Sequence, residues 1–177
     1  MAEPWQRAEI AATFRAAVIR DSAQVVELIG RAKSPVLIVG HESLITEGEG
    51  KQPIEYAIAI SKKFNIPIVA TAQTVGEFLN RGVQSVTSMS AMDIGNRLAD
   101  PKWTLPSGSR PDLAIFLGIT YIIEWNVISG LKHFAPHIKT LSLDRFHQPH
   151  ANFSFPNLTP KIWHQKMEEI VGGLVDA

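Results

Sequence analysis

The fold of this 177-residue chain is decided by one stretch, Pro35-Val36-Leu37-Ile38-Val39-Gly40. The proline at its start stops a preceding helix, and an unbroken apolar run follows. An apolar run that does not alternate with polar residues indicates a strand buried on both faces of its sheet. Such strands are typical of parallel sheets that carry helices on both sides.

The same pattern of helix, proline and apolar run recurs along the chain. Further strands are predicted over residues 66–70, 113–118 and 138–143, with weaker candidates at 83–88 and 151–155. Helices are predicted over residues 22–33, 54–64, 90–98, 119–134 and from 159 to about 175. This alternation predicts an α/β fold, with a single doubly wound, mainly parallel Rossmann-like sheet of about six strands and helices on both faces. Residues 1–177 are expected to form one domain, with residues 1–20 as an N-terminal arm or helix.

Composition limits the classes of function. Hydrophobic residues make up 45% of the chain and charged residues 19%, and 17 basic residues balance 17 acidic ones. A chain without net charge has no field to attract nucleic acid or an anionic membrane. Its weakly charged surface favours a protein covered by a partner, or a homo-oligomer when isolated. The chain has no cysteine, which excludes disulfides, thiolate nucleophiles and cysteine-ligated clusters within it and is compatible with the cytoplasm.

A ligand of an open parallel sheet binds beyond the carboxyl ends of its strands. The candidate cofactor-binding residues are those that follow the predicted strands: Gly40, His41, Thr71, Gly118, Asp144 and Arg145. Glycines would let phosphates approach the backbone, Asp144 could accept from a ribose hydroxyl, and Arg145 could meet a phosphate. The alternative is that the glycines only allow tight packing and that the Asp-Arg pair is a solvated turn. The chain has neither GxGxxG nor GxxxxGK[ST].

Other constellations of reactive residues are weaker. His147 and His150 have the spacing of a metal pair, but Pro149 breaks the helix that would align them. A triad of Ser142, His147 and Asp144 lacks a nucleophile elbow. We therefore predict neither a catalytic residue nor a metal site in this chain.

Two helices offer apolar surfaces. The predicted helix 119–134 carries one stripe with Ile123 and Val127 and another with Tyr121 and Trp125, so it is either deeply buried or an interface. On the last helix, a single stripe favours burial in the core: Trp163, Met167, Ile170 and Leu174.

Three segments together resemble a known domain. The runs 31–40, 64–71 and 111–118 form an ordered set that resembles the FAD/NAD-binding central domain of thiamine-diphosphate enzymes. The run 150–158, with its core Asn-Phe-Ser-Phe-Pro-Asn, is narrower. Together with the length, it resembles the epsilon subunits of archaeal carbon monoxide dehydrogenase/acetyl-CoA decarbonylase-synthase complexes.

This resemblance implies an accessory subunit that is not itself catalytic. In that family the nickel–iron–sulfur chemistry belongs to a large alpha subunit. The small subunit stabilises an alpha-two epsilon-two component or helps to pass electrons to FAD. The residues themselves require no cofactor, and the resemblance admits FAD. The chain departs from the nucleotide-binding pattern at Glu42, because a carboxylate just after Gly40 would repel a phosphate. Two alternatives remain open: a free-standing flavin- or nucleotide-binding protein, and a homo-oligomeric scaffold with a vestigial pocket.

Overall fold

The computed structural model describes residues 14–46 and 48–172, and within them it places seven parallel strands in one sheet. The strands are Ala17–Val18 (β1), Pro35–Val39 (β2), Ile68–Ala70 (β3), Val86–Ser88 (β4), Leu113–Leu117 (β5), Lys139–Ser142 (β6) and Phe153–Ser154 (β7). The helices are Ser22–Arg31 (α1), Pro53–Phe64 (α2), Ala72–Asn80 (α3), Ala91–Ala99 (α4), Tyr121–Phe134 (α5) and Pro160–Gly172 (α6). A short 3-10 helix, His41–Leu44, follows β2.

The centre of the sheet is the pair β2 and β5. The two strands pair in register from Pro35 with Leu113 to Val39 with Leu117, and the sheet continues outward on both sides in the order β1-β7-β6-β5-β2-β3-β4. All five residues of β5 are buried, as are the last four of β2. Burial on both faces is what the unbroken apolar runs predict.

Helices cover both faces of the sheet. On one face α1, α2, α3 and α6 pack over Leu37, Val39 and Ile115, and on the other α4 and α5 pack over Val36 and Phe116. The doubly wound α/β fold predicted from the sequence is therefore confirmed. None of the helices in the described residues is long and apolar enough to cross a bilayer.

The local signals for helix ends act as expected. The side chain of Asp21 accepts a hydrogen bond from the N–H of Ala23 at 3.0 Å and begins α1. Ser90 Oγ accepts from the N–H of Asp93 at 3.1 Å and begins α4. Asn65 ends α2 in the left-handed conformation, with φ of 52°. These caps explain why the predicted helix bounds agree with the structure to within about three residues.

Besides the 3-10 helix, two elements were not predicted. Helix α3 buries only Thr74 and Phe78, which is too few apolar positions to give a periodic signal. Strand β1 lies in the segment expected to be an arm or helix. Residues 1–13 of that segment lie outside the described part, but Ala17 and Val18 are extended and pair with β7. On the last helix, Trp163, Met167 and Ile170 are buried as predicted, while Leu174 lies outside the described residues.

The connection from β6 to β7 is a crossover without a helix. Parallel strands need a connection of about a dozen residues, which is usually helical, whereas residues 143–152 form a loop with a largely buried stretch around His147 and His150. A buried loop must find hydrogen-bond partners for its backbone.

The Asn-Phe-Ser-Phe-Pro-Asn run supplies those partners. Asn157 Oδ1 accepts from the N–H of His147 at 2.9 Å, and Ser154 Oγ accepts from the N–H of Gln148 at 2.9 Å. Asn152 Oδ1 accepts from the N–H of Thr140 at 2.8 Å, while the N–H of Asn152 donates to the hydroxyl of Thr140 at 3.0 Å. The polar positions of this run thus hold the loop and the strand pair β6 and β7 together.

We expect Asn152→Ala to lower the free energy of unfolding by roughly 1–3 kcal/mol, because the N–H of the buried residue Thr140 loses its acceptor. Urea denaturation would measure the change. Asn126→Ala, on the exposed side of α5, is the matched control and should have almost no effect. Equal stability of the two variants would contradict this account of the loop.

Candidate functional site

The candidate site lies where the order of the strands reverses. From β2 the chain proceeds to β3 on one side, and it later returns through β5 to β6 on the other side. In a doubly wound sheet, the carboxyl ends of the two strands at this point diverge and leave a crevice for a ligand. The crevice here lies beyond Val39 and Leu117, the last residues of β2 and β5.

The bottom of this crevice is closed by the chain itself. A Cβ atom on Gly40 would overlap the carbonyl oxygen of Gly118 and lie 2.7 Å from Cα of Ile119. Gly118 has φ of +70°, and a Cβ there would lie 2.7 Å from Cβ of Ser43. The N–H of Glu42 donates to the carbonyl of Gly118 at 3.0 Å, which fixes the 3-10 helix over the glycines. Both glycines therefore serve close backbone packing, and neither leaves room for a phosphate.

The six candidate residues do not all come together. Gly118, Asp144 and Arg145 line a cleft above the closed crevice, and Gly40 packs beneath it. His41 is exposed at the start of the 3-10 helix. Thr71 begins α3, with its hydroxyl 3.1 Å from the hydroxyl of Thr74. Neither of these last two residues lines the cleft.

The cleft has about 580 Å³ of empty space, including its mouth, which is open to solvent. It is lined by residues from the carboxyl ends of β2, β5 and β6 and from the starts of α2, α5 and α6: Glu42, Ile45, Pro53, Gly118, Ile119, Tyr121, Glu124, Asp144, Arg145, Phe146, Pro160 and Trp163. Most of these residues are apolar or aromatic, and the charged ones are three acids and one arginine.

Two acidic side chains meet inside the cleft. Glu124, on α5, is completely buried and interacts with the carboxyl group of Asp144, which follows β6. Gln148 Nε2 donates to Glu124 Oε2 at 3.2 Å, and Asp144 Oδ1 accepts from the N–H of Gly118 at 2.8 Å. The pair thus joins the start of α5 to the closed crevice.

Burial raises the pKa of Glu124 well above its ordinary value of 4.5, and the neighbouring charge of Asp144 raises it further. Two carboxylates in contact in a dry environment cannot both be charged without a large repulsion. The pair therefore keeps a proton at a pH where an exposed glutamate has lost its own. Burial also raises the pKa of Tyr121, with Glu124 as the second cause.

The mouth of the cleft is apolar and partly exposed. Ile45 is 54% exposed, Phe146 is 42% exposed and the neighbouring Ile122 is 63% exposed. The guanidinium of Arg145 lies 3.9 Å from the centre of the Phe146 ring, and the ring of Tyr121 meets that of Phe146 edge-on. We call Ile45, Ile122 and Phe146 the apolar rim.

Glu124 is the principal site residue that sequence reasoning missed. Its signal was available, because position 124 lies one helical turn from Tyr121 and from Ile128, on the buried side of the predicted helix. A carboxylate on an apolar helix face is rarely buried without a partner.

The apolar stripes predicted for this helix differ in burial in the structure: Val127, Ile128 and Leu131 are buried, whereas Ile123 and Phe134 are exposed.

The two histidines of the β6–β7 loop make contacts that stabilise the fold. The Nδ1 atom of His147 is 3.0 Å from the carbonyl of Phe155, and burial lowers the pKa of this histidine. His150 packs edge-on against Trp125, with ring centres 4.5 Å apart. No group of three or more metal-ligating side chains occurs among residues 14–46 and 48–172.

The cleft does not suit the phosphates of FAD. Its charged lining has three carboxyl groups, those of Glu42, Glu124 and Asp144, against the single guanidinium of Arg145, so acidic groups that repel phosphates predominate. The glycines that would let phosphates approach the backbone are closed by Ser43 and Ile119.

Comparison with known proteins places the chain. Residues 1–171 match the family described as CO dehydrogenase beta subunit/acetyl-CoA synthase epsilon subunit. The chain belongs to this family. Over 168 residues it is 33% identical to the acetyl-CoA decarbonylase/synthase complex subunit epsilon of Methanothermobacter thermautotrophicus, covering 94% of this chain and 93% of the relative.

Two further relatives carry the same description. The epsilon 1 subunit of Archaeoglobus fulgidus is 34% identical over 154 residues, which cover 85% of this chain and 80% of the relative. The epsilon subunit of Methanocaldococcus jannaschii is 30% identical over 157 residues, with 89% and 88% covered. The resemblance based on residues 150–158 is thereby confirmed at the level of the family.

We expect Gly118→Ala to be strongly destabilising, because the new methyl group would need a left-handed backbone and would also collide with Ser43. Gly82→Ala is the matched control, since Gly82 has φ of +79° but no atom within 4 Å of a Cβ. Urea denaturation should show a cost of roughly 1–2 kcal/mol for the control and a larger one for Gly118→Ala. Equal costs would mean that the crevice is not closed as described.

The acid pair predicts a particular dependence of stability on pH. In the unfolded chain Glu124 ionises near 4.5, whereas the folded pair holds its proton to a higher pH. The folded state therefore binds more protons, and this pair lowers the free energy of unfolding as the pH rises from about 4.5 towards the raised pKa.

Glu124→Gln removes this contribution while keeping the size and shape of the side chain. We expect the free energy of unfolding of this variant minus that of wild type to be larger at pH 8 than at pH 5, which means that the variant gains stability relative to wild type as the pH rises. Denaturant titrations at the two values would measure it. Glu27→Gln, on the exposed side of α1, should show a smaller change between the two pH values. A Glu124→Gln difference that does not increase with pH would contradict a shared proton.

Proposed function

We propose that this chain is a non-catalytic accessory subunit that binds the large alpha subunit of a cytoplasmic carbon monoxide dehydrogenase and stabilises the alpha-two epsilon-two component of the acetyl-CoA decarbonylase/synthase complex. The observation that carries the proposal is the apolar rim around the cleft. Relatives that are 30–34% identical are named as epsilon subunits of that complex.

The charge and exposure of the rim support binding to a protein. Ile45, Ile122 and Phe146 project at the edge of the sheet where the strands end, and a chain without net charge adds little repulsion against a partner. Arg145 lies beside Phe146 and adds a side chain that is common in interfaces. The rim therefore has the aromatic and apolar character of an interface centre.

The absence of cysteine from the sequence supports a non-catalytic role, because the chain cannot supply thiolate ligands to an iron–sulfur cluster. For the second role implied by the resemblance, electron transfer to FAD, we propose that the flavin binds outside this cleft. The three carboxyl groups that line the cleft favour this assignment.

Binding to the large subunit can be tested with single charges placed in the rim. We expect Phe146→Glu and Ile122→Glu to weaken association with the purified large subunit at least tenfold, because each would bury an unpaired carboxylate in the interface. Surface plasmon resonance with the full-length chain would measure it. Leu79→Glu is the matched control, because Leu79 is 44% exposed but lies at the end of α3, at the opposite edge of the sheet.

Three results would contradict parts of this proposal. A wild-type chain that does not bind the large subunit would overturn it as a whole. Equal binding by the rim variants and the Leu79 control would show that the interface does not include the apolar rim. Self-association through the rim, seen by light scattering of the isolated chain, together with no binding to the large subunit, would favour the homo-oligomeric scaffold.

A further inference from the structure

Among the described residues, three buried oxygen atoms around the acid pair make no hydrogen bond of good geometry, although the side chains of Ser142 and Asp144 interact with Glu124. The three atoms are Glu124 Oε1, Ser142 Oγ and Gln148 Oε1. Buried polar atoms in folded proteins nearly always have a partner. The Ser142 hydroxyl can donate one hydrogen bond to Glu124, but carboxylate and amide oxygens only accept, so a group that completes this cluster must bring a further donor.

The charged groups that line the cleft select the sign of such a group. Asp144, from the loop after β6, interacts with Glu124 directly, and Glu42, from the 3-10 helix, lines the same cleft. Tyr121, on the same helix as Glu124, is neutral and has a raised pKa because of its burial and of Glu124. Among the residues that the structure describes, Arg145 is the one positive group that lines the cleft, and its guanidinium lies over the Phe146 ring. With a proton on the acid pair, the cleft has two negative charges and one positive charge. A cation is therefore attracted and an anion repelled.

The walls of the cleft select the shape of the group. Ile45 and Ile119 offer apolar contact, and Tyr121, Phe146 and Trp163 offer aromatic rings. An alkyl chain can bury its surface against such walls, and ring faces attract a positive charge. The carboxyl pair and these apolar walls line the same cleft, which is open to solvent.

We propose that the cleft binds a protonated amine or a guanidinium group carried on an apolar stem, and that its binding displaces the proton shared by Glu124 and Asp144. The one bond that changes is the carboxyl O–H bond of the acid pair, whose proton passes to water or buffer. The ligand brings one positive charge, and one proton leaves for the solvent. The cation comes either from a free small molecule or from a lysine or arginine side chain of a bound protein.

Isothermal titration calorimetry of the full-length chain tests this site without any partner. The probes are n-butylammonium and n-butylguanidinium, with n-butanol and FAD as probes that lack a positive charge. Titrations in two buffers that differ in ionisation enthalpy give the number of protons released. We expect both cations to bind near neutral pH with release of up to about one proton, more tightly as the pH rises, and the other two probes not to bind.

Glu124→Gln separates binding in the cleft from binding at the surface. The amide has nearly the same shape but cannot release a proton, so we expect at least tenfold weaker binding of the cations and no proton release. Glu27→Gln, on the exposed side of α1, should bind and release as wild type does. Unchanged binding by a folded Glu124→Gln, cation binding without proton release, or no cation binding at all would overturn the proposal. In the last case, water alone would complete the cluster.

A second titration identifies the source of the cation. If a basic side chain of the large subunit occupies the cleft, the preformed complex no longer binds n-butylammonium, and formation of the complex itself releases the proton. If the ligand is a free small molecule, the complex still binds the probe. Because the first titration uses the chain alone, failure of the partner to bind would leave the test of the cleft intact.

Discussion

The pairing of β2 with β5 is the contact on which the rest of the molecule depends. Both strands are buried on both faces, so they can exist only between two layers of helices. Their chain connections leave in opposite directions across the sheet, which creates the switch point. The same pairing brings Gly40 against Gly118, and any larger side chain there would force the two strands apart. The helix layers, the closed crevice and the cleft above it all follow from this one ladder.

The sequence was most informative where a residue type strongly favours one local structure. Prolines, capping side chains and unbroken apolar runs predicted the central strands and most of the helices. It was least informative for β1 and α3, because a strand of two residues and a helix with two buried side chains carry no periodic signal. These elements are stabilised by the rest of the fold: β1 pairs with β7 at the edge of the sheet, and α3 packs Phe78 against one of its faces.

The candidate site was predicted in its location but only partly in its residues. The rule that ligands lie beyond the strand ends led to Gly118, Asp144 and Arg145, which do line one cleft. It could not show that the 3-10 helix closes over the glycines, since that depends on one backbone hydrogen bond from Glu42 to Gly118. Glu124 was missed because it lies in a helix and reaches the strand ends only through packing of α5 on the sheet. Where doubly wound sheets commonly bind a ligand, this chain has an acidic cleft.

The pairing of β1 with β7 has a consequence for the order of assembly. Ala17 pairs with Phe153, so β1 and its neighbour are separated in the sequence by almost all the other elements. Pairing β1 with β7 closes a loop of more than 130 residues, which costs conformational entropy, and it forms only two residue pairs in return. We therefore expect this edge of the sheet to form late in folding and to open before the centre of the sheet does. Ala17 and Val18 are joined to the sheet by only these two residue pairs, so a partner that covered this edge would also strengthen the attachment of β1.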